Sequence, residues 1–137
     1  MSSLLLIASG MAGGLVACLL LRFCWTAVAS RGLSELWRTP SAMNELLYVV
    51  SHAAIGAGVG LLFWLSWGFT ALAGLTWWQQ GLDFGLANAA VFGILPLVIV
   101  RSLLRCEAMV YCLLLSEITL TCATAGLTSS WSWHKAF

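Results

Sequence analysis

Four long apolar runs, separated by shorter segments of different character, dominate the pattern of this chain. They extend over residues 4–25, 46–67, 84–102 and 107–128. A helix needs about 20 mostly apolar residues to cross the hydrocarbon core of a bilayer, and each run is near that length. The pattern therefore predicts a single all-α domain, an integral membrane bundle of four transmembrane helices.

The segments on either side of the second run differ from each other. Residues 30–44 carry charged and polar side chains and are predicted to form a loop in water. Residues 68–82 are apolar but interrupted by glycines. A continuous helix over residues 46–82 would be about 55 Å long, far more than the bilayer thickness, so the chain is expected to turn there. Residues 68–82 are predicted to be an outer interfacial segment.

Five of the six basic residues lie in or beside the first and third connecting segments. They are Arg22, Arg31, Arg38, Arg101 and Arg105, whereas Lys135 lies near the C-terminus. Basic residues in short loops stay on the cytoplasmic side of a membrane. The bias predicts that both termini lie outside, and a bacterial inner membrane is the simplest location that fits it.

Residues at the ends of the runs are predicted to anchor the helices at the two membrane surfaces. Indole rings prefer the interface, and long arginine stems reach from apolar surroundings to the headgroups. The predicted interface anchors are Arg22, Arg38, Arg101, Arg105, Trp77 and Trp78.

Composition agrees with a lipid environment, since 61% of the residues are hydrophobic and only 8% are charged. Soluble domains carry roughly a quarter charged residues. A net charge of +1 gives no attraction for nucleic acid. The expected partners are the bilayer and other transmembrane subunits or further copies of the chain.

Small residues recur four positions apart within the runs, which places them on one helix face. The predicted helix-packing residues are Gly10, Gly14, Gly56, Gly60, Gly85 and Gly93. Without a hydrophobic drive between helices in lipid, close backbone approach through small residues promotes association. Packing within this bundle is the favoured interpretation, and docking of a partner helix is the alternative.

Glu117 is the most unusual residue, because it falls near the middle of the fourth run. Thr121 and Thr124 follow on the same helix face, and Asn88 enters from the third run at a similar depth. These residues predict a polar outer cavity with Glu117 at its floor. Three roles fit Glu117: a neutral acid that donates to the Phe92 carbonyl, which is favoured, an ion or proton pathway, and a pairing with another subunit.

His52 is the other candidate inside an apolar run. An intramembrane histidine can bind haem, contact a quinone or relay protons. A bis-histidine haem site needs a second membrane histidine, and His134 is predicted on the opposite side. A hydrogen-bonded packing role is therefore favoured over haem or quinone. The five cysteines form no C-x-x-C pair, so no metal site is predicted.

Three functions remain compatible with these features. The favoured one is a small accessory or assembly subunit of a larger membrane complex that acts through transmembrane helix packing. The first alternative is a small homo-oligomeric channel or transporter with Glu117 in its pathway, and the second is a haem- or quinone-binding redox subunit that uses His52. An enzyme is less favoured, because the sequence has no paired catalytic constellation.

Overall fold

The structure is a computed structural model that describes residues 3–28, 42–66, 74–95, 98 and 108–136. Throughout this described part the protein is helical and has no strand, so the all-α prediction is confirmed. The four α-helices are α1 (Ser3–Val28), α2 (Ala42–Ser66), α3 (Trp77–Asn88) and α4 (Ala108–Ala136). A π-helical stretch, Ala89–Ile94, continues directly from α3.

The third helix begins earlier than the sequence analysis placed it, at Trp77 rather than at residue 84. Gly74 has a φ of +96°, which glycine adopts without the steric penalty that a side chain would bring. At the helix start, the backbone N–H of Thr76 donates to Oε1 of Gln79 at 3.0 Å. This capping arrangement supplies a partner at the helix N-terminus. Residues 77–82, expected in the interfacial segment, are therefore the first turns of α3.

The fourth helix also extends beyond the predicted span, to Ala136 instead of residue 128. Its last turns contain serines, whose polarity ends the apolar run in the sequence. In the structure, however, Ser129 and Ser130 are fully buried. The Ser130 hydroxyl donates to the Trp77 carbonyl at 2.6 Å. The contact with α3 therefore accounts for a helix that continues past the apolar run.

Backbone contacts at glycines set the antiparallel pairing of α1 with α2. A methyl group on Gly10 would overlap the carbonyl oxygen of Gly56, and one on Gly14 would overlap that of His52. Gly60 lies equally close to the carbonyl of Leu6. Only glycine permits backbones to approach this closely, as expected for helices that associate in lipid.

α4 contacts the three other helices and runs antiparallel to both α1 and α3. Gly81 lies against the carbonyl of Gly126, and Gly85 against that of Cys122. In the π-helical stretch, Gly93 lies against the side chain of Ile118 instead of backbone. The four helices thus alternate in direction, with these glycines at the contacts between them.

The alternating directions give the bundle two distinct ends. Four tryptophans with partly exposed side chains lie where α1 and α3 begin and where α2 and α4 end, namely Trp64, Trp77, Trp78 and Trp131. We call this the tryptophan end. Arg22, near the C-terminus of α1, marks the opposite or arginine end.

Two of the helices contain stretches long and apolar enough to cross a membrane, Ser3–Phe23 and Leu46–Leu65. Only 39% of the first stretch and 28% of the second are buried inside the protein. The core helix of a soluble protein is mostly buried, whereas these two stretches present most of their apolar surface outward. Large exposed apolar surfaces mark contact with lipid or with another protein.

Candidate functional site

The α1–α4 contacts fix the level of each polar residue along the bundle. The Thr128 hydroxyl donates to the carbonyl of Ser9 at 2.8 Å, and Gly13 lies against Thr124 and Ala125. Glu117 precedes Thr124 by seven residues, about 10 Å at 1.5 Å per residue, toward the arginine end. It therefore lies level with about residue 20 of α1.

The sequence predicts Glu117 near the middle of a span over residues 107–128. The helix that contains it extends to Ala136, so Glu117 lies nine residues from the start of α4 at Ala108 and nineteen residues from its end. Glu117 is thus nearer the arginine end of α4 than the tryptophan end.

Glu117 accepts a hydrogen bond from the hydroxyl of Tyr48 on α2, and the two oxygens are 3.1 Å apart. Both side chains are half-buried. In this bond Glu117 is the acceptor, whereas the favoured sequence interpretation made it a donor to the Phe92 carbonyl. That interpretation depended on Pro96, which lies outside the described residues. Tyr48 was not predicted as a site residue, because tyrosine in an apolar run also fits a lipid-interface role.

His52 is buried one helical turn after Tyr48 on α2. Its Nδ1 lies 2.8 Å from the Tyr48 carbonyl oxygen. A carbonyl only accepts, so Nδ1 is the donor in this bond. The two rings also contact each other, with centroids 4.3 Å apart and planes tilted by 51°. These are the surroundings that a hydrogen-bonded packing role requires.

α1 adds two further residues beside Tyr48 and Glu117. Cys18 is buried and interacts electrostatically with both Arg22 and Glu117. Arg22 is exposed, and its charge also acts on Tyr48. We define the Tyr48–Glu117 cluster as Cys18, Arg22, Tyr48, His52 and Glu117. It brings together polar groups of three helices near the arginine end.

The remaining predicted polar residues are satisfied within their own helices. The hydroxyls of Thr121 and Thr124 donate to the carbonyls of Glu117 and Leu120, at 2.6 and 2.9 Å. Asn88 Nδ2 donates to a carbonyl one turn earlier on α3, at 2.8 Å. A polar outer cavity requires open side chains, but Thr121 and Asn88 are buried. The expected cavity is thus replaced by side-chain bonds to helix backbone, a common pattern for threonine and asparagine.

Asp83 is an acidic residue that the sequence analysis missed. It lies between Gly81, which contacts Gly126, and Gly85, which contacts Cys122, and so is level with Thr124 and Ala125 of α4. Those residues also contact Gly13 of α1, as shown above. Asp83 is therefore level with Gly13, which lies within the apolar stretch Ser3–Phe23 of α1.

The Asp83 side chain is exposed, on the side of α3 that faces away from the bundle. An acid at the centre of a membrane helix costs about 2.5–3.5 kcal/mol even on insertion scales. The predicted third span began one residue after Asp83 and thereby excluded it. The spacing of Gly81 and Gly85 was the signal that helix packing begins before this acid.

The predicted interface anchors divide between the two ends. Trp77 and Trp78 are partly exposed at the tryptophan end, and Arg22 is exposed at the arginine end. Arg38, Arg101 and Arg105 lie outside the described residues.

Comparison with known proteins found no matching family model, no matching curated protein and no matching solved structure. Among the described residues, no group of three or more histidine, cysteine or acidic side chains is placed to hold a metal ion.

Proposed function

We propose that this chain is a small accessory or assembly subunit of a larger membrane complex, and that it acts through the outer surfaces of its transmembrane helices. The observation that carries the proposal is the difference between the contacts inside the helix bundle and the side chains on its outer surface. The helices contact one another through glycine backbones, while large apolar side chains point outward. Leu4 and Phe23 of α1, for example, are 73% and 76% exposed.

Four spans, with both termini outside, are part of the same proposal. The alternating helix directions support it, because they bring the start of α1 and the end of α4 to the tryptophan end. Tryptophans favour membrane interfaces, and Arg22 at the other end agrees with a cytoplasmic arginine end. A bacterial inner membrane is the simplest location for this arrangement.

The polar side chains of the described helices also support a packing role. Thr121, Thr124 and Asn88 donate to carbonyls of their own helices. Such bonds satisfy buried polar groups without holding a substrate, and glycine-mediated backbone contacts favour a rigid scaffold. A rigid bundle with an apolar exterior suits a subunit that positions neighbouring helices.

A second function, a homo-oligomeric channel or transporter, is favoured by one observation. Tyr48, His52 and Glu117 form a continuous polar group inside the bundle, linked by the bonds at 3.1 and 2.8 Å. Ionisable residues within membrane spans often belong to ion or proton pathways. In proteoliposomes, Glu117→Gln would abolish proton or ion flux if this second function holds.

Purification from the native membrane in mild detergent, followed by native mass spectrometry, tests the proposal. We expect a complex in which this chain is bound to at least one different membrane protein in a fixed ratio. A monomer without partners would contradict the accessory function. A defined homo-oligomer would favour the channel, and a Soret band would favour haem at His52.

A further inference from the structure

The exposed side of α3 combines apolar, small and acidic side chains. We define the Asp83 face as Asp83, Leu86, Ala87, Ala90 and Val91, all of which are exposed. The opposite side of the same helix is occupied, because Gly81 and Gly85 contact the α4 backbone. The Asp83 face is therefore the side of α3 that remains open in this bundle.

Asp83 has no hydrogen bond and no ion pair with the part of the chain that the structure describes. It is six residues into α3 from Trp77, which places it about 9 Å below the tryptophan end. At that depth neither water nor headgroups surround a side chain that faces lipid. An acidic side chain at this position is expected to pair with a polar or charged group on a neighbouring transmembrane helix.

We infer that the Asp83 face binds a transmembrane helix of a different protein, and that this helix carries a lysine or arginine near the middle of its span. The inference rests on the proposed accessory function and identifies the surface that performs it. A lysine or arginine is inferred because its positive charge complements the negative charge of the Asp83 carboxylate. Ala87 and Ala90 allow the partner backbone to approach, as small residues do in membrane helix pairs.

A second copy of the chain fits this face poorly. Two basic side chains lie in the described part of the chain, those of Arg22 and Lys135. Arg22 is nine residues from Gly13 along α1, about 14 Å, and Lys135 is ten residues from Ala125 along α4, about 15 Å. Gly13 and Ala125 are level with Asp83, so both distances measure how far a basic residue lies from Asp83 along the bundle. Both exceed the length of a basic side chain. In a second copy, in either membrane orientation, neither of these two described basic side chains reaches Asp83.

The test uses the full chain in phosphatidylcholine vesicles with synthetic transmembrane peptides as probes. One peptide is a leucine–alanine helix with a single central lysine, and the matched peptide has leucine at that position. A photo-crosslinking benzophenone amino acid replaces Leu86, which is exposed on the same face and is already a large residue. The control chain carries it at Ile55, which is exposed on α2 beside Gly56 and therefore at a similar depth.

We expect the lysine peptide to crosslink at position 86 but not at position 55. Asp83→Asn should lower the yield about five- to thirtyfold, the range expected when a polar contact in a membrane is lost. An unchanged elution profile in detergent would show that Asp83→Asn folds normally. Equal capture of the two peptides, capture unaffected by Asp83→Asn, or crosslinks only between copies of the chain would overturn the inference.

A separate measurement distinguishes failure of this inference from failure of the accessory function. The wild-type chain and Asp83→Asn are each purified from the native membrane and weighed as intact complexes. If the partner stays bound to Asp83→Asn, the accessory function stands and the Asp83 face is wrong. If the wild-type chain has no partner, the accessory function is wrong, and the peptide result alone decides whether the Asp83 face recognises a basic helix.

Discussion

The hydroxyl of Tyr48 on α2 donates a hydrogen bond to the carboxylate of Glu117 on α4, across 3.1 Å. The two residues are 69 positions apart in sequence, so the bond links helices that are distant along the chain. It also places the acid near the arginine end instead of at mid-span. Tyr48 is consequently the first residue to change when the role of Glu117 is tested.

Tyr48→Phe should destabilise the bundle by about 1–2 kcal/mol, because Glu117 loses its donor while the aromatic ring is kept. Unfolding in mixed detergent micelles measures the difference. Glu117→Gln serves as the matched change, since its amide oxygen still accepts from Tyr48, and it should be milder. If Tyr48→Phe is as stable as the wild type, the hydrogen bond contributes nothing measurable to the fold.

Two glycines on α2 should respond oppositely to the same substitution. Gly56→Ala places a methyl group against the Gly10 carbonyl, and we expect it to destabilise the α1–α2 pair by about 1–3 kcal/mol. Gly58 has no atom within 4 Å of an added methyl group. Gly58→Ala should therefore be neutral or stabilise by up to about 1 kcal/mol, because alanine favours helix. Thermal unfolding in detergent compares the stabilities of the two variants. Similar changes in stability for Gly56→Ala and Gly58→Ala would refute the close contact between Gly56 and Gly10.

Adjacent serines on α4 provide a second matched pair. Both are fully buried. The Ser129 hydroxyl has no partner in the part of the chain that the structure describes, whereas Ser130 donates to the Trp77 carbonyl. Ser130→Ala should cost about 0.5–1.5 kcal/mol, and Ser129→Ala should be neutral or stabilising, since it removes an unsatisfied buried group. The same unfolding assay compares them. A larger loss for Ser129→Ala than for Ser130→Ala would contradict this arrangement.

Membrane orientation is tested with reporters fused to the C-terminus and inserted into residues 30–44. If both termini lie outside, C-terminal alkaline phosphatase is active and C-terminal green fluorescent protein is dark. The reverse pattern is expected for the insertion in residues 30–44. Active phosphatase at both sites would place them on the same side of the membrane, which excludes the three spans that the proposed topology puts between them.

Run length and small-residue spacing were sufficient to predict the helical class and the glycines that pack. Gly10 and Gly56 illustrate why, because a four-residue spacing already places glycines on one helix face. Depth along the bundle was not predictable in the same way. It depends on which residues of two helices lie opposite each other, such as Gly13 against Ala125, and no single run contains that information.

The two acids show the effect of this missing register most clearly. Counting within one run made Glu117 central and left Asp83 outside the predicted spans. Contacts between helices place Asp83 level with Gly13 and Glu117 level with about residue 20 of α1. The Tyr48 hydroxyl was missed for a related reason, because its partner lies on another helix.

The π-helical stretch limits how far any neighbour can follow α3. At its end the N–H of Leu95 bonds to the carbonyl of Ala90, five residues back, so each turn here holds more residues than in an α-helix. These turns thereby shift the direction of the Leu95 side chain relative to those of Asp83 and Ala87. A helix seated on the Asp83 face would diverge from α3 beyond this stretch, crossing it obliquely and leaving a wedge of lipid between the two toward the arginine end.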